Sequence, residues 1–158
     1  MHNGSMMCVQ SFINWYLDEK APLKIIDIGS YDENGSYKEL FDKPNWTYIG
    51  MDVRPGPNVD IVGYEDIPEK YDVLVSGQVM EHVNHPWDWV KNLKNYVADK
   101  GLICIVVPFW GREHRSPIDT YRYLPDGMRD LFEYADIFCE DTYRFDINTV
   151  GIGRVNVT

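Results

Sequence analysis

Two short apolar runs, each closed by an acid, constrain this chain more than any other feature. The first is Leu23-Lys24-Ile25-Ile26-Asp27-Ile28-Gly29-Ser30, which breaks into a glycine turn. The second, some two dozen residues on, is Tyr48-Ile49-Gly50-Met51-Asp52-Val53. Runs of this kind bury strands of a parallel sheet. A glycine at the end of the first strand lets the backbone approach a ligand, and an acid at the end of the next can accept hydrogen bonds from ribose hydroxyls. Together they predict a site for a nucleotide-type cofactor.

The rest of the chain alternates in the same manner. Val9, Phe12, Ile13, Tyr16 and Leu17 share one face of an amphipathic helix ended by Pro22. Ser36 and Glu39 have capping-box spacing, which predicts a short helix from about Tyr37 to Asp42. Val59–Val62 reads as a short third strand and Tyr71–Ser76 as a fourth. Pro86 opens a helix whose apolar stripe is Trp87, Val90, Leu93 and Val97, with Lys100-Gly101 as its stop. Leu102–Val107 is a fifth strand, Pro125 opens another helix, and residues 136–157 supply a final strand pair.

This order predicts an α/β fold: a Rossmann-like, doubly wound, mainly parallel sheet with helices on both faces. Right-handed crossovers then gather Gly29, Asp52, Ser76 and Pro108 along one sheet edge. The length of 158 residues suits one domain spanning 1–158. No apolar run approaches the ~20 residues that span a bilayer. The N-terminus shows no basic segment followed by an apolar one, so no signal peptide is expected. The net charge of −10, without a basic stripe, argues against nucleic acid as partner. Cys8, Cys104 and Cys139 are odd in number and widely spaced, which predicts neither a disulfide nor a zinc framework and suits a reducing cytoplasm. Cys104, inside an apolar run, reads as a small buried hydrophobe.

The polar residues of the predicted edge each admit two readings. Asp27, Gly29 and Ser30 form either a cofactor loop or an ordinary turn; Gly-x-Gly-x-x-Gly is absent. Asp52, followed by Val53, has the spacing of a ribose-binding acid, or it starts the Arg54-Pro55-Gly56-Pro57 turn. In Glu65-Asp66-Ile67-Pro68 a carboxylate can accept from an adenine amino group with Ile67 against the ring, or the segment is a solvated acidic loop. Ser76, Gly77 and Gln78 are small enough at their start to let a ligand pass. His82 is a candidate general base, although a His there more often holds a loop by hydrogen bonds. His82 and His85 make no metal pair without further ligands, and no metal is expected.

Residues 109–124 are the second informative region. Arg112, His114, Arg115 and Arg122 form a basic cluster in an acidic chain, interleaved with aromatics such as Tyr121. That composition suits an anionic or sugar-like substrate gripped by guanidinium forks and ring faces, with His114 as a second candidate catalytic residue. The alternative is a loop pinned by Arg–Asp pairs, such as Asp119 with Arg122.

Asp27-Ile28-Gly29-Ser30, Asp52, Tyr71–Ser76 with Glu81-His82-Val83, and Lys100-Gly101 together resemble class I S-adenosylmethionine-dependent methyltransferases. The similarity extends over roughly residues 23–135 and is closest to the type-11-like group, in which a segment like His114–Met128 also occurs. The resemblance implies a seven-stranded sheet with a reversed last strand and S-adenosyl-L-methionine as cofactor. It implies that Asp27, Gly29, Ser30 and Tyr31 cradle the methionine part, with Ser76, Gly77 and Gln78 flanking it. Asp52 and Val53 would meet the ribose, and Asp66 and Ile67 the adenine. Catalysis would come chiefly from alignment of a nucleophile with the sulfonium methyl. One departure stands out: Tyr31 replaces the family's second glycine, so the first loop must take another path. The expected function is methyl transfer to a small or sugar-like acceptor. A domain that keeps the fold without turnover, or a nicotinamide-dependent oxidoreductase, are the alternatives.

Overall fold

The chain folds around strands whose successive side chains enter two different cores. In the computed structural model, which describes residues 3–64, 67 and 69–158, seven strands form a sheet among the described residues. They are β1 (Leu23–Ile28), β2 (Trp46–Asp52), β3 (Ile61–Val62), β4 (Tyr71–Gly77), β5 (Val97–Pro108), β6 (Ile137–Phe145) and β7 (Asn148–Val155). Their spatial order is β3-β2-β1-β4-β5-β7-β6. The first five are parallel, with Ile26 opposite Ile49 on one side and Leu74 on the other. β7 runs antiparallel between β5 and β6, the reversed strand that the resemblance implied.

Ile25, Val73, Val75, Cys104 and Val106 point to one face, where α1 (Asn3–Tyr16) covers them with Val9, Phe12 and Ile13. Ile26, Ile28, Leu74, Ile103 and Ile105 point to the other. There α2 (Pro86–Leu93) contributes Val90 and Leu93, and α3 (Pro125–Tyr134) contributes Met128, Leu131 and Phe132. Burial on both faces is why the strands read as continuous apolar runs. Cys104 is fully buried, as expected of a small hydrophobe in that run.

Three local expectations are corrected. The Ser36/Glu39 box does not cap an α-helix. Ser36 Oγ accepts from the Lys38 amide at 3.0 Å, and only a 3₁₀ turn, Lys38–Phe41, follows. Pro44 and the start of β2 leave the chain no room for further turns. The helix opened by Pro86 ends at Leu93, not at Lys100; a 3₁₀ turn, Lys94–Tyr96, intervenes and Val97 already begins β5. Val97 pairs with Tyr71, and the ladder resumes at Val73–Leu102 after an irregularity. The predicted third strand is also shorter, confined to Ile61–Val62.

Candidate active site

The parallel strands end on one edge, and a cleft of about 810 Å³ opens there. Gly29 after β1, Asp52 at the end of β2 and Gly77 at the end of β4 all line it. That is the place where open parallel sheets bind ligands. The opposite wall comes from the loop after β5, through His114, Ser116 and Pro117. Val53, Tyr64, Val79, Val83 and Trp89 supply apolar walls, and the volume lies in the upper part of the roughly 300–1,000 Å³ usual for small-molecule sites.

The β1–β2 end is tied by short polar contacts. The amides of Gly29 and Ser30 both donate to the Met51 carbonyl, at 2.8 and 3.1 Å, which closes the turn over β2. Gly29 has φ +80°, and a Cβ there would fall 2.2 Å from Val79 Cγ2. Gly77 is required by a neighbour in the same manner, since a Cβ would fall 1.7 Å from the Tyr37 hydroxyl. Asp52, 8% exposed, accepts from the Tyr31 amide at 3.0 Å through Oδ2 and weakly from the Arg54 amide at 3.3 Å through Oδ1. A carboxylate has about four lone-pair sites, so acceptor capacity remains toward the cleft.

Tyr31, in the place of the second glycine, is accommodated by its neighbours. Its ring lies against Gly56 and under the Arg54 guanidinium, which stands 3.9 Å from the ring centroid. The loop path that the missing glycine requires is thus set by this packing. Asp27 lies behind the loop, buried and accepting from the Tyr48 hydroxyl. Burial pushes its carboxyl up to about 7; the Tyr48 hydrogen bond opposes this and the charge of Asp52 adds to it.

At the other end the loop after β4 is clamped by residues 118–123. Thr120 donates from its amide to the Glu81 carbonyl at 2.7 Å, and its hydroxyl approaches the Glu81 and Val83 carbonyls at 3.0 and 2.7 Å. His82 Nδ1 lies 2.6 Å from the Ile118 carbonyl, the loop-holding role the sequence allowed. Glu81, beside this clamp, is completely buried, and burial pushes its carboxyl up to about 7. The rings of His82 and His114 meet edge to face with centroids 4.9 Å apart.

The residues singled out in the sequence therefore divide. Gly29, Tyr31, Asp52, Val53, Gly77, Gln78, His82 and His114 line the cleft. Asp27, Ser30 and Ser76 do not. Ser30 Oγ donates to the Asn58 carbonyl and Ser76 Oγ to that of Ile28, so both hydroxyls serve the framework. Ile67 packs against the core beneath α2 and α3, and Asp66 lies outside the described residues. Arg122 takes the loop-pinning role that the sequence left open beside substrate contact: its guanidinium binds both oxygens of Asp119, at 2.6 and 2.8 Å, and the Arg112 carbonyl at 2.9 Å. The hydrogen bonds from Arg122 in turn hold the Asp119 carboxyl well below the usual carboxylate range, helped by the His114 amide and the guanidinium charge. Arg112, Arg115 and Tyr121 are exposed and outside the cleft lining. Glu81 was missed as a site residue. Its adjacency to His82 was visible, but the contact that holds its backbone comes from Thr120, 39 positions away.

Comparison with known proteins agrees with this fold. A family model described as a methyltransferase domain matches residues 9–149, and the chain belongs to that family, the class I S-adenosylmethionine-dependent methyltransferases. S-adenosyl-L-methionine is accordingly its cofactor. Among curated proteins none matches the sequence. Among solved structures, the 1,6-didemethyltoxoflavin-N1-methyltransferase of Burkholderia thailandensis, with its substrate and S-adenosylhomocysteine bound, superposes with a TM-score of 0.75. It is 13% identical, over 96% of this chain and 78% of that one. A SAM-dependent methyltransferase of Aquifex aeolicus gives a TM-score of 0.69 at 14% identity, over 95% and 91% of the two chains. The N-terminal domain of EvdMO1, solved in the presence of S-adenosylhomocysteine and D-fucose, gives 0.66 at 16%, over 98% and 84%. Among the described residues no helix is long and apolar enough to cross a membrane.

Proposed function

We propose that this methyltransferase acts on a small polar acceptor, bound in the same cleft as its cofactor and at the end formed by His82, His114, Ser116 and Pro117. The observation that carries this reading is the continuity of the cleft from Asp52 to His114. One cavity of this size has room for a nucleoside donor and a small acceptor side by side.

The roles follow from position. The adenosine part would lie along Val53 and Tyr64, with the free lone pairs of Asp52 accepting from ribose hydroxyls. The turn at Gly29 and the left-handed Gln78, φ +59°, would border the methionine part. The bound cofactor supplies an electrophilic methyl on a sulfonium. The protein's part is to hold an acceptor atom in line with it and to exclude water, which needs no covalent enzyme intermediate. His82 and His114 would border the acceptor's reacting atom. A sugar-like acceptor is in keeping with the polar rim of residues 112–116 and with the D-fucose present in the EvdMO1 domain structure.

Calorimetric titration with S-adenosylhomocysteine, with NADH as control, tests the assignment. Saturable one-to-one binding of the first alone is expected. Asp52→Ala should weaken it by about 1–3 kcal/mol, the cost of losing hydrogen bonds to a charged acceptor. Unchanged affinity in a folded variant would remove Asp52 from the site.

A further inference from the structure

Glu81 is fully buried, yet neither carboxylate oxygen has a hydrogen-bond partner among the described residues. Buried polar atoms are nearly always paired, so two unpaired oxygens on one carboxyl point to a missing partner. What faces it is a pair of imidazole nitrogens. His82 Nε2 stands 4.0 Å and His114 Nε2 3.8 Å from Glu81 Oε2.

The other nitrogen of each ring fixes its tautomer. His82 Nδ1 lies 2.6 Å from the Ile118 carbonyl, and His114 Nδ1 lies 3.3 Å from that of Arg112. A carbonyl oxygen can only accept, so each Nδ1 carries a proton, and Nε2 is the nitrogen each ring offers to a metal ion. Two Nε2 atoms thus converge on a carboxylate at distances too long for direct hydrogen bonds. The three ligand atoms lie within 4.8 Å of one another. Tetrahedral ligands of Zn²⁺, at bond lengths of about 2.0–2.2 Å, stand about 3.4 Å apart, so a modest inward movement would close the set.

We propose that Glu81, His82 and His114 bind a divalent transition-metal cation, with one coordination position open to the cleft. Two imidazoles and one carboxylate suit Zn²⁺ and its neighbours in the first transition row; Mg²⁺ and Ca²⁺ prefer all-oxygen sets. The backbone carbonyls behind both rings supply the outer contacts that orient metal-binding histidines. The Thr120 clamp holds the stretch from Glu81 to Val83 in place before any ion arrives. Because His82 and His114 both line the cleft, the open position faces the space assigned above to the acceptor. A cation there would bind an acceptor hydroxyl and make it more acidic. That role rests on the methyl-transfer reading; the binding of the ion does not.

The test uses the full chain, freed of metal by dialysis against a chelator and titrated without cofactor. Zn²⁺ is followed by calorimetry and Co²⁺ by its visible ligand-field absorption. One ion per chain is expected, with Co²⁺ bands of the intensity given by four or five ligands. His114 is exposed, so His114→Ala should leave the fold intact by circular dichroism while weakening Zn²⁺ binding by about 100-fold or more, beyond the 10–100-fold loss typical of outer-shell changes. Glu81→Gln should do the same. Absence of saturable binding at one equivalent overturns the proposal, as does wild-type affinity in His114→Ala. Titration with S-adenosylhomocysteine is run separately. Its binding without Zn²⁺ binding removes the metal site alone, and Zn²⁺ binding without it removes the cofactor assignment alone.

Discussion

At the β1–β2 end, Asp27 behind the cleft accepts from the Tyr48 hydroxyl, and Asp52 in its wall accepts from the amides of Tyr31 and Arg54. At the β4–β5 end, Glu81 is buried more completely than either and accepts none among the described residues. The first end is completed largely by the chain's own groups, and a ligand adds to acceptors already held in place. The second end leaves a carboxylate and two imidazole Nε2 atoms facing one another. The difference lies in how the two loops are held. The β1–β2 turns are short and bond to themselves, whereas the β4 loop is held from outside by residues 118–123. A loop clamped from outside can keep an unsatisfied group buried.

The largest expected effect sharpens the first half of this contrast. Burial raises the Asp27 carboxyl to about 7, against a value near 3.9 in the unfolded chain. Between those values the folded protein holds a proton that the unfolded chain has released. Stability therefore falls as pH rises from about 4 to about 7, and levels off above. Three pKa units correspond to about 4 kcal/mol. Urea unfolding of wild type and Asp27→Asn at roughly pH 4.5 and pH 7.5 isolates this contribution, since other groups, Glu81 included, titrate in both. Wild type should lose about 3–4 kcal/mol relative to the variant over that interval. Parallel pH dependences would show that Asp27 is already ionised in the fold.

The next effect bears on the clamp. Asp119→Ala removes both carboxylate contacts to Arg122 and the bond from the His114 amide at 2.7 Å. A loss of about 2–3 kcal/mol is expected from these charge-assisted bonds at a mostly buried acid. Arg112→Ala and Arg115→Ala, at exposed positions, should stay within about 0.5 kcal/mol. Equal effects from all three would mean that residues 112–122 are not held by the Asp119 staple.

The same contrast separates what the sequence disclosed from what it concealed. Strands β1, β2, β4 and β5 were legible because burial on both faces leaves uninterrupted apolar runs, and the parallel order fixed which strand ends meet. Asp52 was legible for the same reason, since its place depends on strand length alone. The end of α2 was not. Val97 continues the stripe of Val90 and Leu93, and the first strong breaker is Gly101, so periodicity carries the helix too far; pairing with Tyr71 decides the matter. The pairing of Asp119 with Arg122 was visible as an i,i+3 contact, whereas the convergence of Glu81, His82 and His114 was not. His114 is 32 positions from His82, and a tertiary clamp brings them together.

A smaller effect probes the turn at β1. Gly29→Ala places a side chain at φ +80° and drives its Cβ to 2.2 Å from Val79 Cγ2. Backbone strain of about 1–2 kcal/mol and a packing cost of similar size are expected. Adding Val79→Ala should relieve the packing part and leave the backbone part. If the double variant is no more stable than the sum of the two single changes, the collision with Val79 is not what fixes glycine at position 29.

The smallest effect concerns Tyr31, where the chain departs from its family. The Arg54 guanidinium stands 3.9 Å from the Tyr31 ring centroid and is half exposed, as is its ion-pair partner Glu33 at 3.5 Å. At such exposure the ring contact contributes about 0.5–1 kcal/mol and the ion pair little. Arg54→Ala should therefore cost less than about 1 kcal/mol in unfolding, with nearly the same value at high salt. The Tyr31 amide remains bonded to Asp52 in that variant, so S-adenosylhomocysteine affinity should change no more than stability does. A larger loss of affinity than of stability would mean that Arg54 touches the ligand directly, and that the β1–β2 end also depends on an occupant to complete it.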